Sequence, residues 1–238
     1  MQRQGPSNER RFNVYYGWSN DGSGSSWTIS SSVILAGSSD GSLKWDYPSI
    51  GVDGNWRVII GAVKITGGAT VGYFTAVSTD GMDFSGASCV AGSDPTCSLP
   101  GPGSAPGAQS RVIATDSVFH AFVPTLDSNN LPTLIQRYQS SDGVNWTGPL
   151  TIGMGSFAEP LNDTPGSPVL YYAPQLVASG YTSGRWSIAF QVKNGNLNNV
   201  VVCTSDWGCV FPNAATDDEF LVGTSVSGDN AYWVAYLA

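Results

Sequence analysis

A short turn motif recurs four times along this 238-residue chain at a nearly constant interval. Ser140-Ser141-Asp142-Gly143-Val144-Asn145-Trp146 is its fullest form, and Ser78-Thr79-Asp80-Gly81-Met82-Asp83-Phe84 has the same length. Thr204-Ser205-Asp206-Trp207-Gly208-Cys209-Val210-Phe211 has one extra residue before its glycine, and Ser19-Asn20-Asp21-Gly22 runs on to Trp27 with two extra. The aspartates stand at 21, 80, 142 and 206, so the gaps are 59, 62 and 64 residues. Each residue type has a local job. The Asp side chain accepts from backbone amides two residues on and closes a tight turn. The Gly supplies a positive φ that a Cβ resists. The aromatic then leaves the turn and tucks between neighbouring sheets. One Asp-Gly turn says little, because such turns are common in hairpins. Four at a regular long period predict a repeat architecture. Ser39-Asp40-Gly41 with Trp45 also fits the pattern, but it follows Asp21 by only 19 residues and is read as a connector.

The composition agrees with strands. Gly is abundant at 29 and helix formers are scarce, which suits a turn-rich, all-β chain long enough to bury a sizeable core. With 10 Lys+Arg against 18 Asp+Glu the net charge is −8, which argues against nucleic acid and anionic membrane surfaces as partners. No apolar run approaches a membrane span, and the closed ring inferred below leaves no edge that forces assembly, so a monomer is expected. No signal peptide is visible, which leaves a cytosolic chain or a mature secreted one. The four cysteines favour secretion. Cys89 and Cys97 share one loop, and Cys203 and Cys209 bracket a turn; two short local disulfides are expected, with four free thiols as the alternative. No CxxC occurs and His120 is the single histidine, so the spacings do not suggest zinc. Asn145-Trp146-Thr147 and Asn162-Asp163-Thr164 are glycosylation sequons in a eukaryotic host.

Residues 1–11 read as a polar tail and 12–238 as one domain. Strands are expected at 12–19 and 27–35 around the Asp21 turn. A full repeat follows: strands near 48–52, 56–64 and 69–77, then the Asp80 turn and a long Gly/Pro/Ser loop at 85–109. The second repeat opens at 110–114 and the third at 174–178. The fourth opens at 219–223 and continues through 231–237, lacking a third strand and a turn. Residues 12–19 and the Asp21 turn supply those missing parts.

These turns resemble the Asp-box of the sialidase-type β-propeller superfamily. The resemblance implies a propeller, here a small one of four four-stranded antiparallel blades, the last closed by the N-terminal strand so that no free edge remains. It implies that the four aspartates are structural and lie on the face opposite the ligand site. A β-sandwich with coincidental turns is the runner-up fold. The resemblance does not carry sialidase chemistry with it. Such enzymes hold their substrate carboxylate with three arginines, and Arg111 is the only arginine expected at the mouth here.

In a propeller the first strand of each blade lines the channel, and the loops entering it build a concave mouth, the default ligand site. The four starts align as Asp46-Tyr47-Pro48-Ser49, Gln109-Ser110-Arg111-Val112, Tyr172-Ala173-Pro174-Gln175 and Asp217-Asp218-Glu219-Phe220. Asp46 and Glu219 are candidate general base and acid. Arg111 is the candidate for holding an anionic group or an oxygen that gains charge. Tyr47 and Tyr172 are placed to stack on a ring or donate a proton, with Gln109, Tyr171, Gln175, Asp217 and Asp218 as further substrate contacts. The competing reading is an Arg111–Glu219 ion pair plugging a narrow channel. No cofactor is expected. Calcium near Asp217, Asp218 and Glu219 is the one metal left open. His120, alone within a sheet, reads as structural.

Three functions follow. The first is a secreted carbohydrate-active enzyme, a glycoside hydrolase or polysaccharide lyase with one axial pocket. The unequal mouth residues favour it, because a lectin built by repetition keeps equal sites. The second is a non-catalytic glycan-binding lectin. The third is a protein-binding or inhibitory scaffold using loops 85–109 and 147–173.

Overall fold

The computed structural model describes residues 2–3, 13–19, 21, 23–30, 32–99, 110–126, 132–152, 177–180, 184–194, 197–206, 208–210, 220–226 and 231–237. Among them there is no helix. Two short pairs come first, β1 (Gln2–Arg3) with β2 (Asn13–Val14) and β3 (Gly17–Trp18) with β4 (Thr28–Ile29). Three four-stranded antiparallel meanders follow. Sheet one is β5 (Leu43–Val52), β6 (Val58–Thr66), β7 (Ala69–Ser78) and β8 (Ser88–Gly92). Sheet two is β9 (Arg111–Ala114), β10 (Phe119–Leu126), β11 (Pro132–Ser140) and β12 (Thr147–Ile152). Sheet three is β13 (Val177–Gly180), β14 (Trp186–Asn194), β15 (Leu197–Thr204) and β16 (Gly208–Val210). A last hairpin pairs β17 (Phe220–Val226) with β18 (Tyr232–Leu237).

The sheets stack face to face, and their sequences show why. A strand covered on both faces needs apolar residues at successive positions rather than alternate ones. β6 supplies this with Val58-Ile59-Ile60-Gly61-Ala62-Val63, all buried. Val58, Ile60 and Ala62 join Val14, Leu35, Trp45 and Phe74 under the N-terminal strands. Ile59 and Val63 face the other way, into a core with Tyr73, Val112, Phe119, Tyr138 and Trp146 between sheets one and two. A third core, with Ile113, Phe122, Trp186, Ile188 and the Cys203–Cys209 pair, lies between sheets two and three. Each such large side chain contributes about 1.5–3 kcal/mol by leaving water. The inner strands approach backbone to backbone: a Cβ on Gly51 would lie 2.7 Å from the Ala114 nitrogen, and one on Gly180 2.3 Å from the Ala114 oxygen. Gly180 thus occupies the third-sheet position that the sequence alignment assigned to residue 177.

Three of the four turns close as their residues dictate. Asp80 Oδ1 accepts from the amides of Met82 (2.8 Å) and Asp83 (3.0 Å) and from the Ser78 hydroxyl (2.8 Å). Asp142 Oδ1 accepts from Val144 (2.9 Å), Asn145 (2.7 Å) and the Ser140 hydroxyl (2.9 Å). Gly81 and Gly143 take φ of 74° and 75°. Asp21 accepts from Ser23, Gly24 and Ser26 amides, but Trp27 after it does not tuck between sheets: it stays exposed and donates back to the Gly24 carbonyl. The fourth differs. Asp206 Oδ2 accepts from the Arg185 Nε at 3.0 Å and the Tyr232 hydroxyl at 2.6 Å, which ties sheet three to β18. Asp40 forms a similar local turn with Ser38 and Ser42, but it feeds β5 rather than joining a third and fourth strand. Both expected disulfides are present, Cys89–Cys97 and Cys203–Cys209.

The expected closure is not formed among the described residues. The N-terminal hairpin does bring residues 13–18 alongside 28–35, but β18 does not join it. Val14 already bridges to Leu35 on one edge and pairs with Gln2 on the other. With both edges of β2 taken, no ladder position is left there for a C-terminal strand. β17–β18 stands as a two-stranded sheet against sheet three, and the sheets do not close into a ring.

Candidate functional site

β9 packs against the second half of β5, from Ser49 to Gly51, and β5 itself begins at one end of sheet one. That end is opposite the Asp turns: β5 and β7 run parallel on either side of β6, β5 starts beside Thr66, and β7 runs from there to Ser78, where the Asp80 turn begins. The same holds for the Asp142 turn, whose Ser141 carbonyl accepts from Arg57 Nη1 beside the β5–β6 turn. The Asp80 carboxyl is held down at about 2, chiefly by the Asp83 amide and then by Met82 and Ser78. The Asn145 amide likewise leads in holding Asp142 well below the carboxylate range. Carboxylates so satisfied are turn anchors, not general acids.

Three of the predicted site residues, Asp46, Tyr47 and Arg111, lie near the contact of β5 with β9. The ladder of β5 with β6 slips between Asp46 and Ser49. In that slip Tyr47 takes φ of 51°, the left-handed region where a residue with a Cβ carries strain. The Asp46 carboxylate accepts from the Tyr47 amide at 2.9 Å, a local bond that steadies the slip. The consequence is felt at Ser49. Its Oγ accepts from the Val112 amide of β9 at 3.0 Å and shares a hydrogen bond of 2.8 Å with the Tyr73 hydroxyl. Ser49 and Val112 therefore sit at one level, as their alignment in the sequence implied.

Arg111 is the first residue of β9, half-buried, with Nη1 donating to the Ser110 carbonyl at 3.1 Å. Burial lowers its pKa, and Tyr73 nearby opposes that shift. Burial raises the Tyr73 phenol far above its ordinary value, with Ser49 and Arg111 pulling the other way, so the phenol stays protonated. Among the described residues Arg111 has no carboxylate within salt-bridge distance; the ion pairs there are Arg57–Asp53, Lys64–Asp94 and Arg185–Asp206. Gln109, Tyr171, Tyr172, Gln175, Asp217, Asp218 and Glu219 lie outside the described residues. The structure thus sets Arg111 near Tyr73 and Ser49, two residues the sequence did not single out, and packs Tyr47 against the core that contains Tyr73. A signal for Tyr73 was present in Gly61, an isolated glycine inside an apolar strand, which marks a close approach. A Cβ there would lie 2.0 Å from the Tyr73 Oη.

His120 is structural, as expected. It is buried between Thr115 and Gln139 and beside the Phe122 and Trp186 rings. A cavity of about 210 Å³ lies on the other side of β5, lined by Val14, Tyr15, Tyr16, Pro48 and Ile50. Among the described residues no three metal-ligating side chains come together.

No protein-family model matches the chain, and no curated protein matches it in sequence. Solved structures do match it in fold, several of them glycoside hydrolases. The alpha-L-arabinanase of Penicillium chrysogenum, complexed with arabinobiose, superposes with a TM-score of 0.53 at 13% identity, over 98% of this chain and 69% of that one. The GH93 alpha-L-arabinofuranosidase of Fusarium graminearum, also with arabinobiose, gives 0.53 at 15% identity, over 94% and 67%. A thermostable family-43 glycoside hydrolase gives 0.48 at 13%, and the chain spans 63% of its length. At these identities the likeness is one of fold: an all-β chain of stacked antiparallel sheets.

Proposed function

We propose that the chain is a secreted carbohydrate-active protein, a glycoside hydrolase or polysaccharide lyase, whose single pocket lies where β9 begins against β5. The four repeats are read as four Asp-box blades within residues 12–238. The observation that carries the reading is the β5 slip. A tyrosine held at φ 51° inside a strand, next to a carboxylate and on the strand that β9 and its half-buried arginine pack against, is strain kept where no turn requires it. Asp46 and Glu219 serve as base and acid, Arg111 binds charge, and Tyr47 stacks on a sugar ring. Gln109, Tyr171, Tyr172, Gln175, Asp217 and Asp218 complete the pocket, calcium is the one metal considered, and the protein acts as a monomer. The arabinobiose bound by two neighbours of similar fold makes arabinose-containing polysaccharides the first substrates to try.

The test is mass spectrometry of products after incubation with arabinan and a panel of acidic and neutral polysaccharides. Products carrying an added water mean hydrolysis, and unsaturated products mean elimination. Asp46→Asn and Glu219→Gln should each cut turnover by about 100-fold or more. No product from any member of the panel overturns the enzymatic reading and leaves a glycan-binding protein or a scaffold.

A further inference from the structure

We propose that Arg111, held in place by Tyr73 and Ser49, recognises a carboxylate on the saccharide, so that the ligand is an acidic glycan containing a uronic acid. This inference rests on the carbohydrate-binding reading of the β5–β9 contact and adds the chemical class of the ligand.

The argument starts from what surrounds the guanidinium. The described groups that interact with it are neutral: the Ser110 carbonyl and the Tyr73 phenol. A partly desolvated cation among neutral neighbours gains most from an anion that enters with the ligand. The guanidinium is only half-buried, so solvent and ligand reach it. Its planar fork can hold a planar carboxylate in two parallel bonds.

The second line of argument is how firmly the site is built. Tyr73 is fully buried, and its ring fills the space that Gly61 leaves by having no Cβ. Its hydroxyl is bonded to Ser49 Oγ, and Ser49 Oγ accepts from the Val112 amide next to Arg111. The first residues of β9 are therefore fixed to β5 and β7 through two hydroxyls. Tyr73 does not reach solvent, so it is a positioning residue rather than a ligand contact. The chain's net charge of −8 repels anions at long range, so a preference for an acidic sugar has to arise from a local cation.

Calorimetry on the full chain tests this with three probes: an oligogalacturonide, its methyl ester, and a sulfated galactose oligosaccharide of equal length. Wild type should bind the free acid about 10- to 100-fold more tightly than the ester, the worth of one charge-assisted contact. Arg111→Gln should abolish that ratio, by weakening the free acid far more than the ester. Tyr73→Phe should lower the ratio several-fold; a merely structural role would weaken acid and ester alike. Because the acid-to-ester comparison is made on wild type, it holds even where a variant fails to fold. Equal binding of acid and ester overturns the inference while the carbohydrate reading stands, and means that a carboxylate of the chain already satisfies Arg111. Tighter binding of the sulfated sugar overturns the carboxylate assignment. Failure of all three probes to bind overturns the inference alone where arabinan or another neutral glycan still binds, and the carbohydrate reading as well where none does.

Discussion

Alanine at position 61 would place a methyl carbon 2.0 Å from the Tyr73 Oη, 2.6 Å from its Cζ and 3.1 Å from a Val112 methyl. Non-bonded carbons settle near 3.5–4.0 Å, so the tyrosine has to move. It is fully buried in the core between sheets one and two, and any shift stretches its 2.8 Å bond to Ser49. Overpacking of this kind costs about 1–3 kcal/mol, and a buried hydroxyl left without its partner costs about 1–3 kcal/mol more. Gly61→Ala should therefore destabilise the protein by about 2–5 kcal/mol, or lower Tm by roughly 5–20 °C for a chain of this length. Urea and thermal unfolding of Gly61→Ala, Tyr73→Phe and the double variant provide the measurement. Removing the hydroxyl takes away the contact at 2.0 Å but leaves the ring carbon at 2.6 Å. Relief is partial, and the double variant should be about 1–2 kcal/mol more stable than the two single costs added together. A cost for Gly61→Ala below about 1 kcal/mol, or strict additivity of the pair, would refute the claim that β6 is shaped around Tyr73.

His120 is the chain's single histidine, so one imidazole resonance reports it in a proton NMR titration. Burial, and then the charge of Arg137, lower its pKa to about 4. The folded state keeps it neutral while the unfolded chain binds a proton near pH 6.5, so its contribution is whole above that pH and is lost as pH falls toward 4. The loss is about 3 kcal/mol, and His120→Gln should flatten that slope; a folded-state titration near 6.5 would show the side chain to be solvated. Replacing both Cys203 and Cys209 by alanine should cost about 2 kcal/mol, the small value a short closed loop gives, and should remove one step of Tm loss under reductant. Arg57 donates to Asp53 and Ser141 and lies 4.7 Å over the Phe119 ring, joining sheets one and two. Arg57→Met, which keeps the aliphatic stem, should cost about 1–3 kcal/mol in chemical denaturation; no measurable change would make the contact incidental.

What the sequence made legible was local, and what it hid was the choice of partner among distant segments. The Asp80 and Asp142 turns close through amides two and three residues away, so the motif alone contains both donor and acceptor. Asp206 sits in a similar motif, yet it bonds Arg185 and Tyr232, residues 21 and 26 positions away, which no turn pattern announces. The same rule explains the ring. Residues 13–18 were correctly paired with the strand after the Asp21 turn, because a hairpin is a short-range decision. The opposite edge of β2 went to Gln2–Arg3, two polar residues with no strand pattern of their own, because a nearby segment closes a smaller loop than a C-terminal strand more than 200 residues away. At the candidate site the aligned strand starts placed Ser49 beside Val112 because the repeats preserve level. They could not show the Asp46–Ser49 slip, which depends on β6 and β9 being present to pull on β5. Tyr73 was hidden for a further reason: a buried tyrosine in an apolar strand looks like core until its neighbour across the sheet is seen to be a glycine. An isolated glycine in the middle of an apolar strand is therefore the place to look, in sequences of this kind, for the side chain that the facing strand sends through the gap.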